Sequence, residues 1–562
     1  MSAAPALLAA IRDRPDDDTP RLAYADWLDD AGDAARAEFV RVQVRLARLA
    51  DHDPARPALE DREHDLLAAH EPAWLGVPLG ALTEWDWQRG FVNEVTCGPE
   101  VLREFVGREL FEAHPVRRWR PADPGPREGA LAAALSSWAY RIEALDLNGL
   151  NLSVAELAPF LRRAPFGRLR ELELGMGGGG LHAAPGLLAM CPFRATLEVV
   201  VLGDRQNRGE TMVNARAIGD ALSEAALHTV GLTGVRVDSS ALADFLARRC
   251  ATTISRLALP DTHLSPDAIP AFARPTPALT ALDVSGTPLA GFALEPLLNA
   301  PALAGLRELG VNRCGSAAAV VRALLRSPFW RQADALRLAD ATAPTRLVEP
   351  LFAADGPPAL RTLDLSNNFL YDAGVADLCN ATWAGSLTWL GLGRNYLTDT
   401  AAERIAASGR FRQLRTLHLS YNHPRWLEDN DFDGRVTDRG AVALASSPGL
   451  AALRVLTLTG VSLTAAGVDA LLNGPFWRLS GLGLGRCELT AEAVQVVARS
   501  PRLARLSFLD LSGNRDLRGE ALRPLAESPY LPPLLELDIH GCGAADAVAN
   551  ELRLRLGRRL GA

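Results

Sequence analysis

Alternating carboxylates are the first residues in this chain whose spacing suits a chemical task. Asp429, Asp431 and Asp433, followed by Gly434, match the opening half of a calcium loop, D-x-D-x-D-G. Such carboxylates can converge on one hard cation, and glycine allows the sharp turn. The twelfth position is Gly440, where the loop needs a bidentate glutamate, so an acidic, solvated loop is the competing reading. Glycines form a second group: Gly175, Gly177 and the three that follow, then Gly391 with Gly393 and Gly483 with Gly485. A dinucleotide loop needs one strand–turn–helix unit and an acidic residue about 20 positions on. These glycines recur at a fixed phase instead, which predicts close backbone packing or an open surface. G-x-S-x-G, H-E-x-x-H and C-x-x-C are absent, and no histidine stands beside a plausible nucleophile in sequence. All 59 basic residues are arginine. That removes the phosphate-loop, Schiff-base and general-base lysines, and it fits a GC-rich genome. The expectation is a non-enzyme without a cofactor.

The 562 residues exceed what one compact core holds. With 48% hydrophobic and 22% charged residues the composition is that of a globular protein. A net charge of −8 gives no overall attraction to nucleic acid or to anionic membrane, so neither is expected as a partner. The seven cysteines are scattered, without zinc spacing or a disulfide framework, and read as buried thiols of a reducing compartment. The opening MSAAPALLAAIRDRP lacks a basic start and meets charge at once, which makes a poor signal peptide. No run of about 18 apolar residues occurs. A cytoplasmic address is expected; the oligomeric state is left open.

What positions the chemistry is a repeat. LRTLDLSNNFL at 360–370 returns as LTWLGLGRNYL at 387–397 and LSFLDLSGNRDL at 506–517. With the second apolar residue of each copy as marker, the series runs Leu145, Leu172, Val200, Val230, Leu257, Leu282, Leu309, Leu336, Leu363, Leu390, Leu417, Leu456, Leu482, Leu509, Leu537. Five consecutive intervals, Leu282 to Leu417, are 27 residues each, and one of 39 contains an insertion at 423–438. LxL alternation gives a short strand with leucines on one face. Five residues after the marker stands Asn (368, 395, 422, 514) or Cys (314, 487, 542), able to bond the backbone of the turn that leaves the strand. The copies around Val200, Val230 and Leu336 lack it, which predicts a less regular coil there. Next come helix N-caps such as Ser153, Ser265, Thr398, Thr464 and Thr490, with Glu156 completing a capping box, and helices that stop at Ser-Pro.

This pattern resembles the leucine-rich-repeat family, in its ribonuclease-inhibitor-like subtype. The resemblance implies an α/β horseshoe with a parallel inner sheet and outer helices. About 15 repeats are placed at 141–562, and 81–140 is read as atypical opening turns. At the far end Leu552, Leu556 and Leu560, at spacing four, favour a closing helix over a phosphate patch of Arg553, Arg555, Arg558 and Arg559.

Residues 1–80 show no such period and read as a small all-α domain of three helices. The first follows Asp18-Thr19-Pro20, the second is AARAEFVRVQVRLARL at 34–49, and the third lies around 58–70. RLAYADWLDDAGD and RAEFVRVQ resemble the bacterial repeat-companion domain in Tyr24, Asp26, Trp27, Arg36, Glu38 and Phe39. That resemblance implies architecture and no chemistry. Trp27 and Phe39 are expected in a core, with Asp26, Arg36 and Glu38 pairing between helices.

Residues flanking each marker must face away from the leucines. On that face stand Asp146, Glu171, Glu173, Asp283, Glu308, Asp364, Asp510, Glu536 and Asp538, against Arg256 and Arg337. Arg337 and Asp364 fall on successive strands and can pair. Between the acidic ends lie Trp389, His418 and Tyr421, with Phe508 further on, and Gly391 and Gly393 are expected to leave a pocket beside Trp389. The functional expectation is a binding scaffold whose concave face takes a protein partner with a basic patch. The alternatives are a regulator of the ribonuclease-inhibitor kind and a catalytic N-terminal module whose substrate the repeats select.

Overall fold

A computed structural model describes residues 3–49, 53, 55–78, 81–103, 105–122, 138–148, 150, 152–163, 166–176, 180–203, 212–262, 264, 266–275, 278–287, 289, 293–341, 348–422, 435–532, 535–556 and 560–561. The chain divides into two compact units, Met1–Gly231 and Leu232–Ala562.

The first unit opens with four helices, one more than the sequence suggests: α1 (Ala3–Asp13), α2 (Thr19–Asp30), α3 (Ala34–Arg48) and α4 (Arg56–Leu75). The apolar run that made a poor signal peptide is α1, whose Ile11 is fully buried against Ala25, Leu28, Ala37 and Val40. Asp18 does not cap α2 with its side chain. Asp17 accepts the Thr19 N–H at 2.9 Å, while Asp18 pairs with Arg48 at 2.8 Å. Asp26 pairs with Arg41 at 2.6 Å and Glu38 with Arg62 at 2.6 Å, so both tie helix to helix. Phe39 is fully buried and Trp27 packs at the core's edge.

Arg36 corrects the expectation of an ion pair. Only 6% exposed, its guanidinium lies 4.9 to 5.4 Å from the ring centres of Phe39, Trp74, Trp87 and Phe91. One nitrogen, Nη2, donates to the Gly90 carbonyl at 2.7 Å. The Trp87 indole N–H in turn donates to Glu71 at 2.5 Å. The nearest compensation for the buried cation is therefore aromatic, with a carboxylate one indole away. Gly90 closes a hairpin between β1 (Glu84–Gln88) and β2 (Phe91–Cys97). Its φ of +87° and a site where a Cβ would lie 2.7 Å from Val40 both require glycine. From β2 the strands run parallel through β3 (Arg118–Pro121), β4 (Ala144–Asp146), β5 (Glu171–Gly175) and β6 (Val199–Gly203). Val95, Trp119, Leu145, Leu172 and Val200 share one register position.

In the second unit each marker from Leu257 to Leu537 pairs in register with the next, through eleven parallel strands of three residues. All fifteen markers are at most 2% exposed. The asparagines bond between coils as well as within them. Asn395, fully buried, donates Nδ2–H to Leu365 O at 2.8 Å and accepts the N–H of Asn368 at 2.8 Å and of Leu370 at 3.3 Å. Asn422 and Asn514 repeat the pattern. Cys487 donates its thiol to Leu458 O at 3.1 Å. Thr262 and Thr287, which the Asn-or-Cys pattern missed, hold the same position and donate to Leu259 O and Val284 O. All seven cysteines are free and buried.

Helices such as Asp399–Ala407, Ala465–Asn473 and Ala491–Arg499 follow each turn. Thr398 and Thr464 cap as expected, Thr490 makes no side-chain cap, and Ser265 lies outside the described residues. Ser153 and Glu156, in the first unit, form the reciprocal box. Thr437 is an N-cap and Asp438 the first helical residue, so these two belong to the regular coil and not to the insertion. The closing helix is Asp546–Leu556; Leu560 belongs to a two-residue strand paired with Leu537 instead. Arg555 donates to the carbonyls of Ala526, Ser528 and Leu531 and has a packing role. Among the described residues no helix is long and apolar enough to cross a membrane.

Candidate binding face

The residues flanking the markers of the second unit share one face of its sheet. Asp283, Asp364, Asp510 and Asp538 stand one place after their markers, and each accepts the backbone N–H two residues on, at 2.8 to 3.0 Å. Asp146 does the same in the first unit, at 2.9 Å. These aspartates anchor the turn that leaves the strand, which the sequence reading did not anticipate.

Three places after each aspartate of the second unit is a conformational constraint. The residue four after each marker, from Asp261 to Gly541, is left-handed, with φ between +54° and +76°. From Asp261 to Gly513 its N–H donates to the carbonyl three after the next marker, as Arg394 does to Ser420 O at 3.0 Å and Arg486 to Ser512 O at 2.7 Å. The ladder thus continues past the strand only if this residue turns left. Leucine strand, aspartate anchor, left-handed residue and buried asparagine follow in one order along the second unit. This is the fold of a leucine-rich-repeat protein.

Within this leucine-rich-repeat face the structure brings together Asp364, Trp389 and His418. The Trp389 and His418 rings lie 5.0 Å apart at 51°, and both side chains are half-buried. His418 Nδ1 bonds Thr457 Oγ1 at 2.7 Å, and Ser420 donates to the same oxygen at 3.0 Å. Burial lowers the His418 pKa, with Asp364 partly opposing. One turn away, the Arg394 guanidinium sits 5.1 Å from the centre of the Tyr421 ring. Arg394 and Tyr421 occupy left-handed positions, φ +55° and +61°, in successive coils. Arg394 is exposed and was not anticipated; the rule that finds it is the left-handed position.

The pocket expected beside Gly391 is filled. A Cβ there would lie 2.6 Å from the Asp364 carboxylate and 2.8 Å from the Trp389 ring, which folds over its own strand. A Cβ at Gly393 would meet Ser420 O at 3.0 Å. Gly483 and Gly485 likewise make room for Thr457 and for Asp510 with Ser512, and Gly175 for the Asn148 backbone. Arg337 and Asp364 are register partners, yet Asp364 spends its Oδ1 on the N–H and hydroxyl of Ser366, and the two form no ion pair.

Phe508, Asp510, Glu536 and Asp538 lie on two adjacent strands, four and five removed from Trp389, hence roughly 20 Å away. Asp510 accepts from Thr459 at 3.3 Å, and Asp538 binds His540 Nδ1 at 2.8 Å. Arg256 pairs with Glu308 at 3.1 Å. In the first unit Arg120 pairs with Asp146 at 2.8 Å, and Arg118 pairs with Glu171 and Glu173. The insertion with Asp429, Asp431 and Asp433 lies outside the described residues. The twelfth loop position, Gly440, is helical and donates its N–H to Asp399 at 2.8 Å. No group of three or more metal-ligating side chains occurs among the described residues.

No protein-family model matches the chain. A segment of 110 residues is 38% identical to human leucine-rich repeat-containing protein 14, covering 20% of this chain and 21% of that protein. Solved structures with similarity include an internalin, inlF, of Listeria monocytogenes (14% identity, TM-score 0.34, 61% of this chain and 81% of that one). Another is TLR13 in its complex with ssRNA13 (15% identity, TM-score 0.31, 76% and 61%).

Proposed function

We propose that the chain is a non-catalytic scaffold that binds a protein partner through the sheet face of its second unit, anchored at Trp389. The observation that carries this reading is the cluster of Trp389, His418, Arg394 and Tyr421. It sets Trp389, Tyr421 and the exposed Arg394 guanidinium, the three residue types that dominate binding energy at interfaces, on neighbouring coils beside the His418 imidazole. Non-glycine residues in the left-handed region carry strain of about 1 kcal/mol or more. Neither the Arg394 nor the Tyr421 side chain is needed for the ladder, which uses only the backbone N–H of each. Asp364, Asp510, Glu536 and Asp538 keep their charge on the face while anchoring turns, and they suit a partner with a basic patch. The N-terminal helices fit a repeat-companion module beside the array, in a cytoplasmic setting.

The test is affinity capture with the wild-type chain and with Trp389→Ala, followed by titration of the partner so identified. Trp389→Ala should weaken binding by at least about tenfold with its circular dichroism and unfolding midpoint unchanged. Salt should weaken what remains. Equal affinity of a correctly folded Trp389→Ala would refute the assignment.

A further inference from the structure

In the last coils the left-handed row changes from long side chains to none: Arg486, then Gly513, then Gly541. Gly513 is where Arg486 lies down, since a Cβ there would sit 2.6 Å from its Cγ. Gly541 has only the Gly513 backbone within 4 Å. Two consecutive positions without side chains open a cavity of about 940 Å³ over the turns that leave the last strands, floored by Ser512 and Gly513. Its walls carry both signs of charge: Arg486 and Arg515 against Glu488, Asp516 and Asp538, with His540 between.

The orientation of His540 is fixed. Its Nδ1 and its backbone N–H both bond Asp538 Oδ1, at 2.8 and 2.9 Å, which leaves Nε2 for a ligand. The Arg515 guanidinium, the Asp516 carboxylate and the Ser512 hydroxyl make no side-chain bond among the described residues. A polyanion entering here would meet three carboxylates, and a polycation two guanidiniums. A ligand bearing both signs a few ångströms apart finds a complement for each. The volume is that of a ligand site, but its lining is polar, unlike the apolar lining of sites for drug-like molecules.

We propose that this cavity binds a polar peptide segment of a partner in which acidic and basic side chains alternate. Arg515, with Ser512 and His540 lining the same cavity, receives the acidic side chain, and Asp516 the basic one. The site is separate from the Trp389 cluster and stands or falls apart from it.

The experiment is a calorimetric titration of the full chain with three capped hexapeptides: alternating glutamate and lysine, all glutamate, and all lysine. The alternating peptide should bind at least about tenfold more tightly than either homopolymer. Arg515→Glu, on an exposed turn, should lose that preference. Gly541→Asn, which keeps a residue that tolerates the left-handed region while filling the space, should weaken the alternating peptide by a similar factor at unchanged unfolding midpoint. Trp389→Ala should leave the titration as it is. Equal binding of the three peptides, no binding of the alternating one, or an Arg515→Glu chain that binds like wild type would each overturn the proposal.

Discussion

Replacing Asn395 by alanine isolates what the buried asparagines contribute. The side chain is fully buried and serves two acceptors and two donors of the backbone: Leu365 O, Gly393 O, and the N–H groups of Asn368 and Leu370. Alanine leaves both N–H groups without their side-chain acceptor, in a place water does not reach. Each buried polar group left unpaired costs about 1–3 kcal/mol. The Leu370 contact, at 3.3 Å, is the weaker one, and carbonyls tolerate the loss better than N–H groups do. The expected loss is therefore about 3–5 kcal/mol. Asn395→Cys should cost roughly half of that, because a sulfur can still accept weakly from the preceding coil's N–H groups, as Cys487 does from Val461, while its thiol reaches that coil's carbonyl at 3.1 Å. Urea unfolding of the full chain gives the ranking. Amide exchange at 368 and 370 gives the location, and protection there should fall in the alanine variant before it falls at Leu309. If the alanine and cysteine variants unfold together, or alanine costs under about 1 kcal/mol, the asparagine ladder does not hold the coils.

Leu363→Ala should lower stability by about 2–5 kcal/mol, since the side chain is fully buried in a continuous core; an unchanged urea midpoint would contradict this. His114 is buried, and desolvation lowers its pKa from 6.5 to about 3. The unfolded chain therefore takes up a proton that the folded one refuses. Stability from this group is complete above pH 6.5 and is lost as the pH falls toward 3, by at most about 1.4 kcal/mol per pH unit. His114→Gln should flatten urea midpoints across that range; an identical slope in both proteins would exclude the histidine. With Gly440 locked into a helix, calorimetry at millimolar calcium should show equal, negligible heat for wild type and Asp431→Ala. Heat confined to wild type would revive the half-motif.

The phase of the strands was legible because LxL alternation and the marker interval are direct images of a strand and a coil. The left-handed row was not. Asp261, Arg313, Arg394, Tyr421 and Gly513 share no side-chain property, and the constraint acts on their backbone N–H alone. For the same reason the aspartates after the markers read as a charged surface, when one oxygen of each belongs to a turn. Arg36 looked like an ion-pair partner because its acidic neighbours are close in sequence. Its real neighbours, Trp74, Trp87 and Phe91, come from α4 and the hairpin, which no local pattern connects to α3.

The direction of the asparagine bonds has a bearing on synthesis. Asn395 accepts the Asn368 N–H, and Asn422 accepts the Asn395 N–H, so in these coils the group that closes a turn is supplied by the coil that follows. On a ribosome, which delivers the chain N-terminus first, each turn stays open until about one more coil has emerged. Completion therefore trails elongation by one coil, and a translational pause inside a coil exposes the turn before it to solvent and to chaperones. Codon choice just after Asn368, Asn395 and Cys487 bears on how long each turn waits, although the finished fold carries no trace of it.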